Sequence, residues 1–175
     1  MHVVVAYESL FGNTHEIAEA IAEGARTARP DSEVSCVPVA EAGPDVVASA
    51  DVLVVGGPTH MHGMSSGMSR RMGLSAEEKK GVEAHPADSA AEGPGVRDWF
   101  RTLPKAAGGH RAAAFDTRAD SRLAGGAANG IARALRQHGF DLLAEPEGFI
   151  IEDAAGPLRE GERTRAVAWG ADLVR

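Results

Sequence analysis

One cysteine, Cys36, is too few for an internal disulfide, and the composition suits a reducing compartment. Aromatic residues are scarce: two Trp, one Tyr and five Phe make up 5% of 175 residues. No stretch approaches the ~18 consecutive apolar residues of a membrane span, and no basic segment with an apolar signal-like core opens the chain. A cationic excess is missing too. Lys and Arg number 18 against 25 Asp and Glu, for a net charge of −7, which disfavours broad binding to nucleic acid or to an anionic membrane. These absences predict a cytoplasmic protein, and the length suits one well-buried domain over 1–175 rather than two.

What is present is an alternation of apolar strand patterns with helix-period patterns. Strands are predicted at His2–Tyr7, Glu33–Val39, Asp51–Gly56, Arg111–Asp116 and Gly148–Glu152, the last reaching back toward Leu142. Pro38 marks a strand end or a sheet edge. In the first helix Ile17, Ala18, Ile21, Ala22 and Ala25 share one face, with Glu16, Glu19 and Glu23 outside it. Further helices are predicted at Asp45–Ser49, Val96–Leu103, Ala127–His138 and Glu160–Val174. Such alternation implies an α/β three-layer sandwich around a five-stranded parallel sheet. The stretch from about 61 to 94 breaks the pattern as an irregular insertion, with one helical turn expected near Ala76–Lys80.

The most telling stretch is Ser9-Leu10-Phe11-Gly12-Asn13-Thr14, between the first strand and the first helix. The first turn of a helix has N–H groups without intrahelical partners, and its dipole favours an anion there. Ser9 and Thr14 add hydroxyl donors, Asn13 an amide, and Gly12 permits close backbone approach. The loop lacks the lysine of a Walker motif and the G-x-G-x-x-G spacing of a dinucleotide site. A monophosphate suits it better than a triphosphate with its metal ion. In a doubly wound sheet the loops after the third and fourth strands should share the site. These are Gly56-Gly57-Pro58-Thr59-His60-Met61-His62-Gly63-Met64 and Asp116-Thr117-Arg118-Ala119-Asp120, followed by Gly125-Gly126.

Along nearly its full length the chain resembles the flavodoxin family. The resemblance rests on Tyr7-Glu8-Ser9-Leu10-Phe11-Gly12-Asn13-Thr14 with Ala18 and Ile21, and on Gly56-Gly57-Pro58-Thr59. Ala114-Phe115-Asp116-Thr117-Arg118, Gly139-Phe140 and Gly156-Pro157-Leu158 through Gly161-Glu162 are similar to a bacterial branch of that family. Ala6 stands where the family usually has a larger apolar residue. The resemblance implies the flavodoxin-like strand order 2-1-3-4-5 and non-covalent FMN binding. Ser9, Phe11, Asn13 and Thr14 would hold the phosphate. Pro58 to Gly63 (Pro58, Thr59, His60, Met61, His62, Gly63) and Thr117 to Gly125, next to Asp116, would enclose the ring. An electron-transfer role follows, with the flavin carrying the electrons and the protein tuning it.

The family commonly stacks Trp or Tyr on both flavin faces, and neither ring loop here contains either residue. His60, Met61, His62, Met64 and Arg118 are the remaining stacking candidates. That scarcity keeps other readings open: weak flavin binding, a flavin stacked by a partner subunit, or a cofactor-free binding or regulatory module. The insertion suggests a further alternative, an FMN-dependent NAD(P)H:quinone-type oxidoreductase. Redox partner proteins or NAD(P)H are the expected partners, with no nucleic acid and no membrane, and the chain as a monomer or homodimer. His60 and His62 have no third ligand at metal-binding spacing. Asp116 and Asp120, which flank Arg118, suit turn capping better than acid–base chemistry. The pairs Arg70-Arg71 and Lys79-Lys80 and the residues Met61, Met64, Met68 and Met72 lie in or beside the insertion. The pairs suit a solvated surface or an anionic substrate, and the methionines suit gap-filling or an adaptable apolar surface.

Overall fold

The computed structural model describes residues 1–60, 63–64, 75, 93–106, 108–120, 126–153 and 155–175. Seven strands are described: β1 (His2–Tyr7), β2 (Glu33–Pro38), β3 (Val52–His60), β4 (Gly63–Met64), β5 (Arg111–Ala119), β6 (Asp141–Leu142) and β7 (Glu147–Ile151). Between them run α1 (Asn13–Ala28), α2 (Pro44–Ser49), α3 (Val96–Thr102), α4 (Ala127–Gln137) and α5 (Glu162–Asp172).

The sheet order is β2-β1-β3-β5, and the last position is shared by β6 and β7, both parallel to β5. Counted as one interrupted strand, β6 and β7 give the expected order 2-1-3-4-5. The interruption is a bulge. Arg111 and Ala112 pair with Asp141 and Leu142, and pairing resumes at Phe115 with Glu147, so that residues 143–146 lie opposite 113–114. β2 is the edge strand and ends at Pro38, where the missing N–H costs no inner ladder bond.

Alternation along each strand divides the core into two layers. Val4, Ala6, Leu53, Val55, Ala112 and Ala114 face α2, α3 and α4, with Trp99, Phe100, Ile131 and Leu135 packed above them. Val3, Val5, Val52, Val54, Ala113 and Phe115 face α1 and α5. The α1 stripe is buried as its periodicity predicts. Helices α1 and α5 cross at backbone contact, because a Cβ on Gly24 would run into the Val167 carbonyl and one on Gly170 into that of Ile21.

Three expectations need correction. The third strand does not stop at Gly56, nor the fourth at Asp116. β3 and β5 stay in parallel register through Gly57 with Asp116 and Pro58 with Thr117, because ladder bonding overrides the glycine-proline turn signal. Residues read as loop therefore sit in the sheet. The sheet also carries a short antiparallel strand, β4, whose Gly63 and Met64 pair with His60 and Thr59. The helical turn expected near Ala76–Lys80 and the pairs Arg70-Arg71 and Lys79-Lys80 lie outside the described residues, as do Met61, His62, Met68, Met72 and Gly125.

Candidate functional site

The Ser9–Thr14 loop is held at both ends. The Tyr7 ring, at the end of β1, stacks on His15 in the first turn of α1, with centroids 4.6 Å apart and planes 13° from parallel. Inside the loop Ser9 is buried, and its Oγ accepts a hydrogen bond from the Gly12 N–H at 3.1 Å. Gly12 is the N-cap of α1 at φ +90°, a left-handed conformation that a side chain would strain. Beyond that Ser9 contact no side-chain cap is present among the described residues, and a Cβ at Gly12 would meet nothing within 4 Å. The start of α1 at Gly12 thus opens on free space, with Glu16 as the acidic side chain of its first turn.

Thr14 is buried and shares a 2.7 Å hydrogen bond with the buried Thr117 hydroxyl of β5. Two hydroxyls have two protons, and only one can lie in their mutual bond. The pair therefore has a proton to give to an anion. Asn13 Nδ2 donates to the Ala155 carbonyl at 2.8 Å and has a second proton available. That contact needs Gly156 as the next residue, since a Cβ there would overlap the Asn13 side chain. Leu10, Phe11, Asn13, Thr14, Pro58, Thr59, Thr117 and Ile151 line one cleft, whose enclosed space of about 30 Å³ admits a single water.

Of the other predicted residues that are described, Thr59, Asp116 and Arg118 are engaged with partners of their own. Thr59 Oγ1 accepts from the Ala127 N–H at 2.9 Å, and Asp116 Oδ2 accepts from the Ala128 N–H at 2.8 Å. Together they cap α4, on the sheet face opposite Thr14. Burial pushes the Asp116 carboxyl above its ordinary range, against the hydrogen bond from Ala128 and the Arg118 charge. Arg118 Nε lies 2.8 Å from Asp116 Oδ1, off the line that a hydrogen bond needs, so among the described residues neither atom has a hydrogen-bond partner. The Arg118 guanidinium lies over Gly148 and Gly126. This corrects the reading of Arg118 as a free stacking group, because its ion pair runs along the face of the sheet. Met64 is also removed from the ring candidates, since it packs against α4 at Gly130. His60 and Gly63 pair in the β3–β4 hairpin, and Met61, His62 and Gly125 lie outside the described residues.

Three contributors escaped the sequence reading. Glu8 is buried, and its Oε2 accepts from the Val96 N–H at 2.8 Å, tying the loop to α3. A charged residue directly after an apolar strand was the available signal. Ile151 and Ala155 reach the cleft only because the chain after β7 folds back, with Arg159 N–H bonded to the Ile150 carbonyl. Nothing local in the sequence announces that return. Phe11, expected at the phosphate, is a lining residue of the cleft.

Neither family models nor curated proteins match the sequence. Solved structures do. A flavodoxin from the domain Archaea aligns over 99% of this chain and 96% of its own, at 21% identity and TM-score 0.63. Oxidised Flavodoxin 1 from Bacillus cereus aligns over 99% and 97%, at 16% identity and TM-score 0.67. The chain has the flavodoxin fold. The flavodiiron core from Synechocystis sp. contains a similar unit, matched over 99% of this chain and 35% of that one, at 17% identity and TM-score 0.61. In a flavodoxin fold the carboxyl ends of the strands, where Ser9–Thr14, Pro58 and Thr117 converge, are the expected ligand edge. Among the described residues no helix is long and apolar enough to cross a membrane.

Proposed function

We propose that this chain binds FMN non-covalently and carries electrons through it. The observation that carries the reading is the N-terminus of α1, where among the described residues the side chain of Ser9 engages the Gly12 N–H, open space lies at Gly12 and the Thr14–Thr117 hydroxyl pair stands alongside. This donor set fits a phosphate monoester. It offers backbone N–H, hydroxyl and amide protons with no lysine in the loop, and the helix dipole supplies the positive potential. When bound, FMN supplies one- and two-electron chemistry at its ring. The chain's part is to hold the phosphate through Thr14, Asn13 and the first-turn N–H groups, with Ser9 fixing the loop. Leu10, Phe11, Pro58 and Ile151 supply the apolar lining of the cleft, with Phe11 as its aromatic residue.

The test is a titration of the purified protein with FMN, followed by quenching of flavin fluorescence. Saturable quenching is expected, and riboflavin, which lacks the phosphate, should bind at least about tenfold more weakly. Failure to quench FMN overturns the proposal. Oxidation of NADPH with a small quinone and no separate reductase would replace the carrier reading with that of an enzyme.

A further inference from the structure

The charge of this acidic protein is unevenly placed. Residues 96–105 and 127–137, which contain α3 and α4, hold Arg97, Arg101, Lys105, Arg133 and Arg136 but a single acid, Asp98. All five cations are exposed. Between the two helices runs an open groove of about 310 Å³, lined by Met64, Arg97, Phe100, Leu103, Ala134 and Gln137, among others. The groove is fixed in width by His138, at the end of α4. Its Nε2 is 2.9 Å from the Phe100 carbonyl of α3, and its Nδ1 is 2.9 Å from that of Ala134. Arg97 Nη2 donates to the Met64 carbonyl at 3.2 Å, which joins the groove to β4. Met64 in turn pairs with Thr59, a residue of the candidate cleft.

We infer that the α3–α4 groove is the docking surface for an acidic amphipathic helix of a partner protein, whose apolar side chains enter between Met64, Phe100 and Ala134 while its carboxylates meet Arg97, Arg101 and Arg133. Charge complementarity selects this occupant. A long polyanion such as duplex DNA, or an anionic bilayer, would also face the rest of a surface that makes the chain net −7. A short helix meets only the basic patch. The inference goes beyond flavin binding and does not depend on it.

The experiment uses the whole chain, with a fluorescein-labelled Glu/Ala/Leu peptide of about four helical turns whose leucines recur at helical spacing. Anisotropy should saturate, and affinity should fall about tenfold or more between about 20 and about 200 mM NaCl. Amide shifts should map to residues 97–103 and 133–138. Arg97→Glu with Arg101→Glu should weaken binding about tenfold or more, whereas Arg163→Glu with Arg175→Glu, an equal change of charge at exposed positions outside the groove, should stay within about twofold. Gln137→Glu, at an exposed groove position, should also weaken binding, and it keeps the test available if the double variant fails to fold. Absent saturation, equal losses on changing Arg163 and Arg175, or equally tight binding of duplex DNA or phosphatidylglycerol vesicles would overturn the inference. So would sedimentation showing the groove closed between two copies of the chain.

Discussion

The Thr14–Thr117 bond joins the first turn of α1 to the end of β5, and both residues are about 2% exposed. Replacing Thr14 by Val removes one hydroxyl and strands the other in a buried setting. The expected cost is about 1–3 kcal/mol, the desolvation penalty of an unsatisfied buried polar group. Thr117→Val should cost a similar amount for the same reason. The double variant leaves neither hydroxyl behind, so its cost should fall below the sum of the singles by about 1 kcal/mol or more. Urea unfolding followed by the fluorescence of Trp99 and Trp169 reads all four corners of this cycle, with an unchanged m-value as the check on two-state behaviour. Costs that add to within about 0.3–0.5 kcal/mol would refute the coupling. The same variants probe ligand binding. Thr14→Val should weaken FMN and leave riboflavin nearly unchanged, whereas equal weakening of both would assign Thr14 to packing alone.

Gly24→Ala should destabilise the protein by about 1–3 kcal/mol in thermal or urea unfolding despite alanine's better helix propensity, because the new methyl meets the Val167 carbonyl of α5. An unchanged or raised stability would mean that the helices separate without cost. The Asp116 carboxyl is raised by burial, so between its unfolded value near 4 and its higher folded value the native state binds the extra proton. Stability relative to Asp116→Asn should therefore fall as pH rises through that window and level off above it, and parallel urea midpoints across pH 4–7 would contradict this. Cys36 is raised far above the ordinary thiol range by burial and by the neighbouring Glu19 charge. It should react with a disulfide reagent much more slowly in the native state than in urea, and equal rates would contradict that shielding. Gly156→Ala should lower FMN affinity by displacing Asn13 from the Ala155 carbonyl, and an unchanged titration would remove Asn13 from the phosphate site.

Much of this follows from period and composition. The near-continuous Val3–Val5 and Val52–Val55 runs require strands covered on both faces, and these lie at the centre of the sheet. The stripe from Ile17 to Ala25 fixed the buried side of α1, and Pro38 marked the edge strand. The Ser9–Thr14 loop was legible because strand, turn chemistry and helix start follow one another within a dozen residues, so the open helix start and its donors are local properties. Strand ends were less legible. Gly56, Gly57 and Pro58 read as turn residues, yet pairing with β5 keeps them in the ladder.

The division follows the range of the interactions. Local sequence determined the helices, the central strands and the open start of α1, because these depend on residues within a few positions of one another. Tertiary structure decided which side chains are left to meet a ligand. Arg118 and Asp116 pair on the sheet face, Thr59 is spent on α4, Met64 packs partly buried against Gly130, and Asn13 is held by a segment 142 positions away. Each of those outcomes depends on a partner distant in the chain, and no propensity or period encodes such a partner.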